Sequence, residues 1–430
     1  MTESYPQSYY AGSRHETAPF APLDGDTQAD VAIIGGGFTG VATALELAER
    51  GVSVVLVEAN RIGWGATGRN GGQITGSLSG DAAMLREFSK VLGPEAAERF
   101  VWDLRWRGHD IIRARVARYG IDCDLKDGHL HAAWKASHLP ELEAMHRLAC
   151  TRGMEDQVTL LRGEEVQQAV GCDLYVGGLL NRRNMHVHSL NLCLGEAEAA
   201  RSLGARLHEG TRALDIEEGD SPVVITDRGR IRAGRVLLAG NAYHRLAGRR
   251  LAGLLFPATL GVVATDPLPE ALARQVIPMD IGVYDTRFVL DYYRLTADRR
   301  LLFGGGTNYT GRDLGDVAGQ LRPAIERTFP ALRGIGIPLA WQGTAGITLN
   351  RIPQLGTLSN RIFYAQGYSG HGIATTHIVG EIMAQALTGR SRDFEVFSKA
   401  HQWRLPVGRR MGNLMLALGM WYFQKREAWR

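Results

Sequence analysis

Residues 31–58 read VAIIGGGFTGVATALELAERGVSVVLVE, and this stretch decides the fold. A short apolar run, 31–34, leads into three glycines. The next segment carries apolar residues at helical spacing and ends at Gly51. A second apolar run follows at 52–57. Strand, glycine turn, helix and strand within about 30 residues predict a βαβ unit.

The glycines of this stretch have the spacing of a nucleotide-binding turn. Gly35, Gly37 and Gly40 fit GxGxxG, in which the first turns the chain, the second admits a pyrophosphate and the third packs helix on strand. The helix N-terminus favours a bound anion. Glu58, at the end of the second strand, can hold ribose hydroxyls and would repel a 2′-phosphate. The pattern predicts a Rossmann-type site for FAD or NAD, with a purely structural glycine turn as the alternative.

Two further glycine-rich segments extend this pattern. GWGATGRNGGQ at 63–73 follows the second strand closely, and such a loop can lie along a flat ring without intervening side chains. A flexible surface loop is the alternative. GYSGHG at 367–372 separates an apolar run, 362–365, from a predicted helix, 373–387, and could be an ordinary strand–helix turn.

The sequence also predicts a long helix at 94–119, which has proline in its first turn.

Composition excludes several classes of function. The chain has 430 residues, 53 glycines and a net charge of +4, which is weak evidence for a nucleic-acid partner. Four cysteines lack metal-site spacing, so we expect no metal and a cytoplasmic location. No apolar run is long enough to predict a membrane span. Residues 414–429 could make a peripheral membrane contact, and nothing indicates an oligomeric state.

The run 31–73 resembles the D-amino-acid-oxidase-like FAD-dependent oxidoreductases. The resemblance continues through SYY at 8–10, YYR at 292–294, FGG at 303–305, WQG at 341–343 and GYSGHG at 367–372, and covers nearly the whole chain. It implies an α/β fold in which a Rossmann-type FAD-binding domain is interwoven with an antiparallel-sheet α+β substrate domain. We expect the following segments: an N-terminal arm, 1–29; the FAD-binding domain, 30–90, 190–250 and 345–400; the substrate or cap domain, 91–189 and 251–344; and a C-terminal helical segment, 401–430.

The resemblance also implies how the cofactor is held. The loop 61–73 contains neither cysteine nor histidine and no cysteine lies beyond Cys193, so we expect non-covalent FAD. Motif and resemblance together place these residues at the cofactor: Gly35, Gly37, Phe38, Thr39, Gly40, Glu58, Ala59, Arg61, Gly65, Ala66, Thr67, Arg69, Asn70, Gly71, Gly72, Gln73, Ala213, Gly240, Gly343, Gly367, Ser369, Gly370, His371, Gly372 and Ile373.

Three residues are candidates for catalysis or substrate binding. His371 and Tyr368 lie in the last glycine-rich turn and could face the flavin or the substrate. Arg294 lies on a predicted strand of the sheet that would cover the flavin. It could hold a substrate carboxylate through a bidentate pair, with a surface salt bridge as the alternative.

The resemblance implies oxidation of a small-molecule amine. Hydride would pass from the carbon next to nitrogen to the flavin, the imine would be hydrolysed, and molecular oxygen would be reduced to hydrogen peroxide. The substrate of the most similar members carries a primary amine at one end and an amino-acid group at the other. Two alternatives remain: a dehydrogenase of amino acids or secondary amines that passes electrons to a quinone, and a non-catalytic flavoprotein.

Overall fold

The structure, a computed structural model, describes residues 3–287, 289–389, 391–405, 411–413, 415–419 and 421. Its strands are β1 Thr27–Ile34, β2 Val54–Val57, β3 Gln73–Ile74, β4 Lys126–Ala133, β5 Val158–Arg162, β6 Gly177–His186, β7 Arg206–His208, β8 Ala213–Glu217, β9 Val223–Thr226, β10 Arg230–Leu238, β11 Phe256–Ala264, β12 Gly282–Asp285, β13 Tyr292–Leu295, β14 Leu301–Asn308, β15 Leu339–Ile347, β16 Gln354–Thr357 and β17 Ile362–Gln366.

Helices connect and cover these strands. They are α1 Tyr9–Gly12, α2 Phe38–Glu49, α3 Asp81–Leu92, α4 Pro94–Tyr119, α5 Leu139–Thr151, α6 Glu164–Ala169, α7 Ser189–Ser202, α8 Gly248–Leu251, α9 Glu270–Val276, α10 Val317–Thr328, α11 Gly372–Thr388 and α12 Arg392–Lys399. Among the described residues no helix combines the length and apolarity that crossing a bilayer requires.

The first sheet is built on the βαβ unit. Its main order is β16-β17-β10-β1-β2-β7, and the five strands from β17 to β7 pair in parallel. β8 and β9 extend it as an antiparallel flap beside β10. All of β2 and the second half of β1, Val31–Ile34, are buried. Both segments are continuous apolar runs, which is typical of parallel strands covered by helices. Helices α2 and α11 pack against each other over this sheet.

The second sheet is mixed. Its order is β15-β11-β14-β13-β12-β4-β6-β3, and β5 pairs with β6. The neighbours are antiparallel except β12 and β4, which run in parallel. The predicted α/β architecture is therefore confirmed, with the correction that the second sheet is not purely antiparallel. Which residues belong to each domain remains a prediction.

Other sequence expectations need correction. Within the predicted extended arm 1–29, Tyr9 and Tyr10 form part of a short helix and are buried, and β1 already begins at Thr27. The aromatic side chains anchor the arm because they remove large apolar area from water. Most of the segment 414–429, considered for membrane contact, lies outside the described residues.

Candidate active site

One elongated cavity, about 980 Å³ in volume, lies between the two sheets. At one end it is lined by the glycine turn after β1, the end of β2 and the start of β8. At the other end it meets side chains from β12, β13 and β14, together with the N-terminus of α11. The cavity therefore lies at the carboxyl ends of parallel strands, where open α/β sheets bind ligands.

The glycine turn has the geometry of a dinucleotide site. Gly35 adopts a φ of 116°, and a Cβ there would lie 2.9 Å from the carbonyl carbon of Ala239. A Cβ on Gly40 would overlap the Gly35 carbonyl oxygen, so the third glycine serves close packing and does not line the cavity. A Cβ on Gly37 would lie 3.1 Å from Thr67 Oγ1. Gly35 and Gly37 therefore present bare backbone to the cavity just before α2 begins.

Glu58 lies at the end of β2 as expected. Its carboxylate accepts hydrogen bonds from the backbone N–H of Gly36, at 2.8 Å, and of Asn60, at 2.9 Å. Burial raises the pKa of Glu58, and these two backbone donors oppose that rise. The carboxylate is thus fixed at the cavity wall, with oxygen lone pairs left for further donors.

The loop 65–73 forms one wall, and its polar side chains are used to shape it. Asn70 donates to the carbonyls of Ala66 and Thr67 and accepts from the Gly72 N–H. Thr67 Oγ1 accepts a hydrogen bond of 3.0 Å from the backbone N–H of Phe38. These hydrogen bonds hold the loop in one conformation and attach it to the start of α2. The alternative of a flexible surface loop is therefore not favoured.

Arg69 and Gln73 attach this wall to its neighbours. Arg69 stacks on Trp64, with 4.1 Å between the guanidinium carbon and the ring centre, and donates to the Trp64 carbonyl. Gln73 Nε2 donates to the carbonyls of Val283, in β12, and Tyr293, in β13. The loop after the βαβ unit is thereby attached to the second sheet.

The last glycine-rich turn forms the opposite wall. Residues 369–373 line the cavity, and the positive end of the 17-residue helix α11 faces it. Tyr368 also lines it, but its hydroxyl lies 2.7 Å from Thr39 Oγ1. Tyr368 therefore joins the turn before α11 to the first turn of α2.

His371 is half-buried in this wall. Its Nδ1 is buried and has no hydrogen-bond partner among the described residues. Burial lowers the pKa of His371, the Arg351 charge lowers it further, and Asp81 opposes both. A neutral imidazole has one nitrogen that donates and one that accepts a hydrogen bond.

Most of the predicted cofactor residues line this one cavity. They are Gly35, Gly37, Phe38, Thr39, Glu58, Ala59, Gly65, Ala66, Thr67, Arg69, Asn70, Gly71, Gly72, Gln73, Ala213, Gly240, Gly343, Ser369, Gly370, His371, Gly372 and Ile373. The structure does not bring Gly40, Arg61 or Gly367 to it. Arg61 instead pairs with Glu209 at 3.0 Å.

The structure does not bring Arg294, the candidate for substrate binding, to the cavity. Its side chain is fully buried and does not line the cavity. It donates to the carbonyls of Gly71, Val187 and Leu295 and to the Tyr10 hydroxyl. All three guanidinium nitrogens of Arg294 are thus hydrogen-bonded. The side chain links β13 to the loop 65–73 and to the N-terminal arm.

Sequence reasoning missed the far wall of the cavity. Tyr284, Tyr292, Tyr309 and Arg351 line it, and they come from separate strands and turns. Tyr292 was noticed as part of a shared motif, whereas no local pattern singles out the other three. Their proximity arises from strand pairing across the second sheet.

The shape and donors of this cavity fit a dinucleotide with a flat ring. The glycine turn and α2 N-terminus would hold the pyrophosphate, Glu58 the ribose, and the loop 65–73 the ring system. The α11 N-terminus would lie at the other side of the ring. Among the described residues no group of three histidine, cysteine, aspartate or glutamate side chains could hold a metal ion.

Comparison with known proteins agrees with this geometry. The chain is 40% identical over 428 residues to gamma-glutamylputrescine oxidoreductase of Escherichia coli, with 99% of each chain covered. It is 33% identical to a probable oxidoreductase, OrdL, of Haemophilus influenzae, covering 100% of this chain and 99% of the relative.

Solved structures share the fold. L-proline dehydrogenase from P. horikoshii has a TM-score of 0.71 at 22% identity, covering 85% of this chain and 94% of that one. Glycine oxidase from Geobacillus kaustophilus has a TM-score of 0.68 at 23% identity, covering 84% and 95%. Residues 30–386 match the family described as FAD dependent oxidoreductase. This chain therefore belongs to the D-amino-acid-oxidase-like family of FAD-dependent oxidoreductases.

Proposed function

We propose that this enzyme oxidises the carbon–nitrogen bond of a primary amine, gamma-glutamylputrescine or a related compound. The products are an aldehyde, ammonia and, with oxygen as acceptor, hydrogen peroxide. One observation carries the proposal: a single cavity continues from the nucleotide-binding turn to a wall that contains Tyr284, Tyr292, Tyr309 and His371. The full-length similarity to gamma-glutamylputrescine oxidoreductase supports the choice of substrate.

Bound FAD supplies the two-electron chemistry, accepting a hydride from the carbon next to nitrogen. The protein has to present the amine without its extra proton, since a primary amine with a pKa near 10.4 is neutral in only about four molecules per ten thousand at pH 7. Shifting that equilibrium asks for roughly 4 kcal/mol. An apolar wall that includes Ala258, Leu260 and Ile347 disfavours the charged form.

His371 is the residue we assign to the amine. Its neutral ring can exchange a hydrogen bond with the amine, which would orient the amine nitrogen and the carbon next to it. Tyr368 acts as a positioning residue because its hydroxyl is held by Thr39. The N-terminus of α11 favours negative charge at the adjoining end of the cavity, which assists acceptance of electrons there.

We also propose that FAD is held without a covalent bond. The described cavity lining contains no cysteine, and its histidines are His244 and His371. Cys193 is fully buried behind the glycine turn, with Sγ 4.0 Å from the Gly36 carbonyl oxygen. Hydrogen bonds and the helix N-termini therefore suffice for binding in this proposal.

Anaerobic titration of the purified holoenzyme tests the function. Gamma-glutamylputrescine should bleach the flavin absorbance, and in air peroxide and ammonia should form in equal amounts. Bleaching followed by reoxidation with a quinone analogue and not with oxygen would replace the oxidase by the dehydrogenase alternative. A flavin that no amine or amino acid bleaches would indicate the non-catalytic alternative.

A further inference from the structure

The N-terminal arm reaches the nucleotide end of the cavity. Glu3 lines the cavity together with Asn60 and Trp64, although no residue of the arm is among those that motif and resemblance place at the cofactor. The buried aromatic side chains of α1 anchor the arm a few residues later. Residues 3–5 are thus held at one end and extend to the segment 60–64, which follows β2.

Three hydrogen bonds join the start of the arm to this segment. They run from the Glu3 backbone N–H to Asn60 Oδ1, 3.0 Å, from the Tyr5 hydroxyl to the Ile62 carbonyl, 2.7 Å, and from the Trp64 indole N–H to the Ser4 carbonyl, 2.9 Å. The contacts recur at alternate residues of 60–64, so the arm lies along the segment. Both partners supply donors, and removing one bond leaves the other two in place.

Tyr5 fixes the arm most firmly. Its ring packs against the main apolar core, and the guanidinium carbon of Arg14 lies 5.4 Å from the ring centre. Burial raises the pKa of Tyr5, and the charge of Glu209 raises it further. The hydroxyl therefore stays protonated and donates to the Ile62 carbonyl, which can only accept.

Asn60 links the arm to the residue expected to hold the ribose. It is buried, and its backbone N–H donates to Glu58 Oε1 at 2.9 Å. Its carbonyl accepts a hydrogen bond of 2.9 Å from the Gly210 N–H, in the turn between β7 and β8. Because the side-chain oxygen of Asn60 accepts from Glu3, one residue joins the arm, the ribose carboxylate and the wall formed by β8.

Trp64 carries the attachment to another wall of the cavity. Its ring meets the Tyr243 ring edge to face, with 5.8 Å between the ring centres. Tyr243 follows β10, and its hydroxyl accepts a hydrogen bond of 3.0 Å from the Thr344 N–H in β15. A Cβ on Gly65 would lie 3.3 Å from the Tyr243 ring, so the two walls are in contact there. The aromatic pair bridges the wall after β2 and the wall formed after β10 and in β15.

Glu3, Trp64 and Tyr243 lie at the mouth of the cavity. All three line it, yet Glu3 is exposed, Trp64 is half-buried and Tyr243 is 39% exposed. Side chains that meet both solvent and the cavity surface mark a place where a ligand enters. The arm and the aromatic pair are therefore on the path of a dinucleotide that passes through this end.

We propose that residues 3–5, Trp64 and Tyr243 form a clasp that controls the entry and release of FAD at the nucleotide end of the cavity. The contacts of the clasp join protein groups to each other, so they have to open for the cofactor to pass in either direction. Weakening the clasp lowers the barrier to entry and to release alike, whereas a lost contact to FAD itself speeds release alone.

Three variants of the full chain each remove one hydrogen bond of the clasp. Glu3→Pro deletes the backbone donor, Tyr5→Phe deletes the hydroxyl, and Trp64→Phe deletes the indole N–H while keeping an aromatic ring. Glu3→Ala is the reference for Glu3→Pro, because it loses the same carboxylate and keeps the N–H. Tyr119→Phe is the control for Tyr5→Phe, since the Tyr119 hydroxyl donates to Glu49 and does not line the cavity.

Both directions of FAD exchange are measured without substrate. Stopped-flow absorbance of flavin mixed with apoprotein gives the association rate, and replacement of bound FAD by excess radiolabelled FAD in the holoenzyme gives the release rate. We expect each clasp variant to raise both rates about 2- to 10-fold over its reference, which is the effect of one lost hydrogen bond. Kd, the ratio of the two rates, should stay nearly constant, and Tyr119→Phe should match the wild type.

The clasp stands if both rates rise in Tyr5→Phe and in Glu3→Pro. Unchanged rates overturn it, and so does faster release with unchanged association, which would make these residues ordinary contacts of the bound cofactor. Slower association overturns it as well, because an opened mouth cannot delay entry. The inference rests on FAD binding and not on the proposed amine, so its outcome is independent of which substrate reduces the flavin.

Discussion

His377 Nε2 lies 3.0 Å from a carboxylate oxygen of Glu196, and both side chains are fully buried. The other ring nitrogen, Nδ1, lies 2.6 Å from the Ile373 carbonyl oxygen. The imidazole of His377 therefore connects the Glu196 carboxylate, on α7, to the backbone of α11. Arg115 donates to the same Glu196 and to Glu46, which closes a buried network beneath the N-terminal half of α11.

This network predicts a defined dependence of stability on pH. Burial raises the pKa of Glu196, but His377 and Arg115 outweigh it and lower that pKa from 4.5 to about 2. A carboxyl whose pKa is lower in the folded state stabilises the fold above its unfolded value. That contribution is lost as pH falls from about 4.5 toward 2.

Glu196→Gln should therefore destabilise the enzyme by about 3–5 kcal/mol at pH 7, because it removes a buried carboxylate that pairs with the buried Arg115. The variant should also lose less stability than the wild type between pH 5 and pH 3. Thermal unfolding at several pH values measures both effects. Glu95→Gln, whose side chain is 91% exposed, is the control. Equal pH slopes for Glu196→Gln and wild type would contradict the charged network.

Gly37→Val should give a folded protein with little or no flavin colour. A Cβ there already lies 3.1 Å from Thr67 Oγ1, and the branched side chain would occupy the space in front of α2. We expect FAD affinity to fall by at least about 100-fold, or roughly 3 kcal/mol. The ratio of flavin to protein absorbance measures it, and Gly12→Val, with no neighbour within 4 Å, is the control. Normal colour in Gly37→Val would remove the pyrophosphate from this turn.

Local patterns predicted the elements that carry their own start and stop signals. Helix α4 runs from Pro94 to Tyr119 as expected, since proline occupies its first turn and Gly120, with a φ of 61°, ends it. The βαβ unit was predictable for the same reason. Its glycines, its apolar runs and Glu58 lie within one short stretch of sequence.

The far wall of the cavity and the burial of Arg294 depend on contacts between residues distant in sequence, which local patterns do not show. Tyr284, Tyr309 and Arg351 line one cavity because separate strands and turns converge on it. Arg294 was expected near the surface or the substrate, as charged side chains usually are, yet backbone carbonyls from distant segments bury it. No local spacing encodes either outcome.

Glu58→Ala should weaken FAD binding by about 1.5–3 kcal/mol, which corresponds to roughly 10- to 150-fold. The change removes the acceptor for the Gly36 and Asn60 N–H groups and the carboxylate expected to hold the ribose. Equilibrium titration of the apoprotein with FAD measures the loss. Glu217→Ala, in an exposed ion pair, is the matched control. Unchanged affinity in Glu58→Ala would place the ribose elsewhere.

Acid precipitation should release the flavin into the supernatant. The described cavity lining contains no cysteine. Its two histidines are His244 and His371, and His371 lies in the last glycine-rich turn. Flavin absorbance in the washed pellet and in the supernatant measures the partition. Colour retained in the pellet would indicate a covalent bond, and His371→Ala and His244→Ala would then identify the attachment side chain.

Arg294→Met should destabilise the fold without changing substrate selectivity. The substitution leaves the buried carbonyls of Gly71, Val187 and Leu295 without their donor, and each orphaned group costs about 1–3 kcal/mol. Because Gly71 belongs to the loop that would hold the flavin ring, FAD affinity should fall as well. The same rate loss is expected for gamma-glutamylputrescine and N-acetylputrescine, since the guanidinium does not line the cavity.

Arg294→Lys provides the second measurement, because it keeps the charge and cannot serve all the same acceptors. Its Tm should lie between those of wild type and Arg294→Met, with the ratio of kcat/KM for the two amines as in the wild type. A selective loss of gamma-glutamylputrescine oxidation in the Arg294 variants would return Arg294 to the substrate site and contradict its structural role.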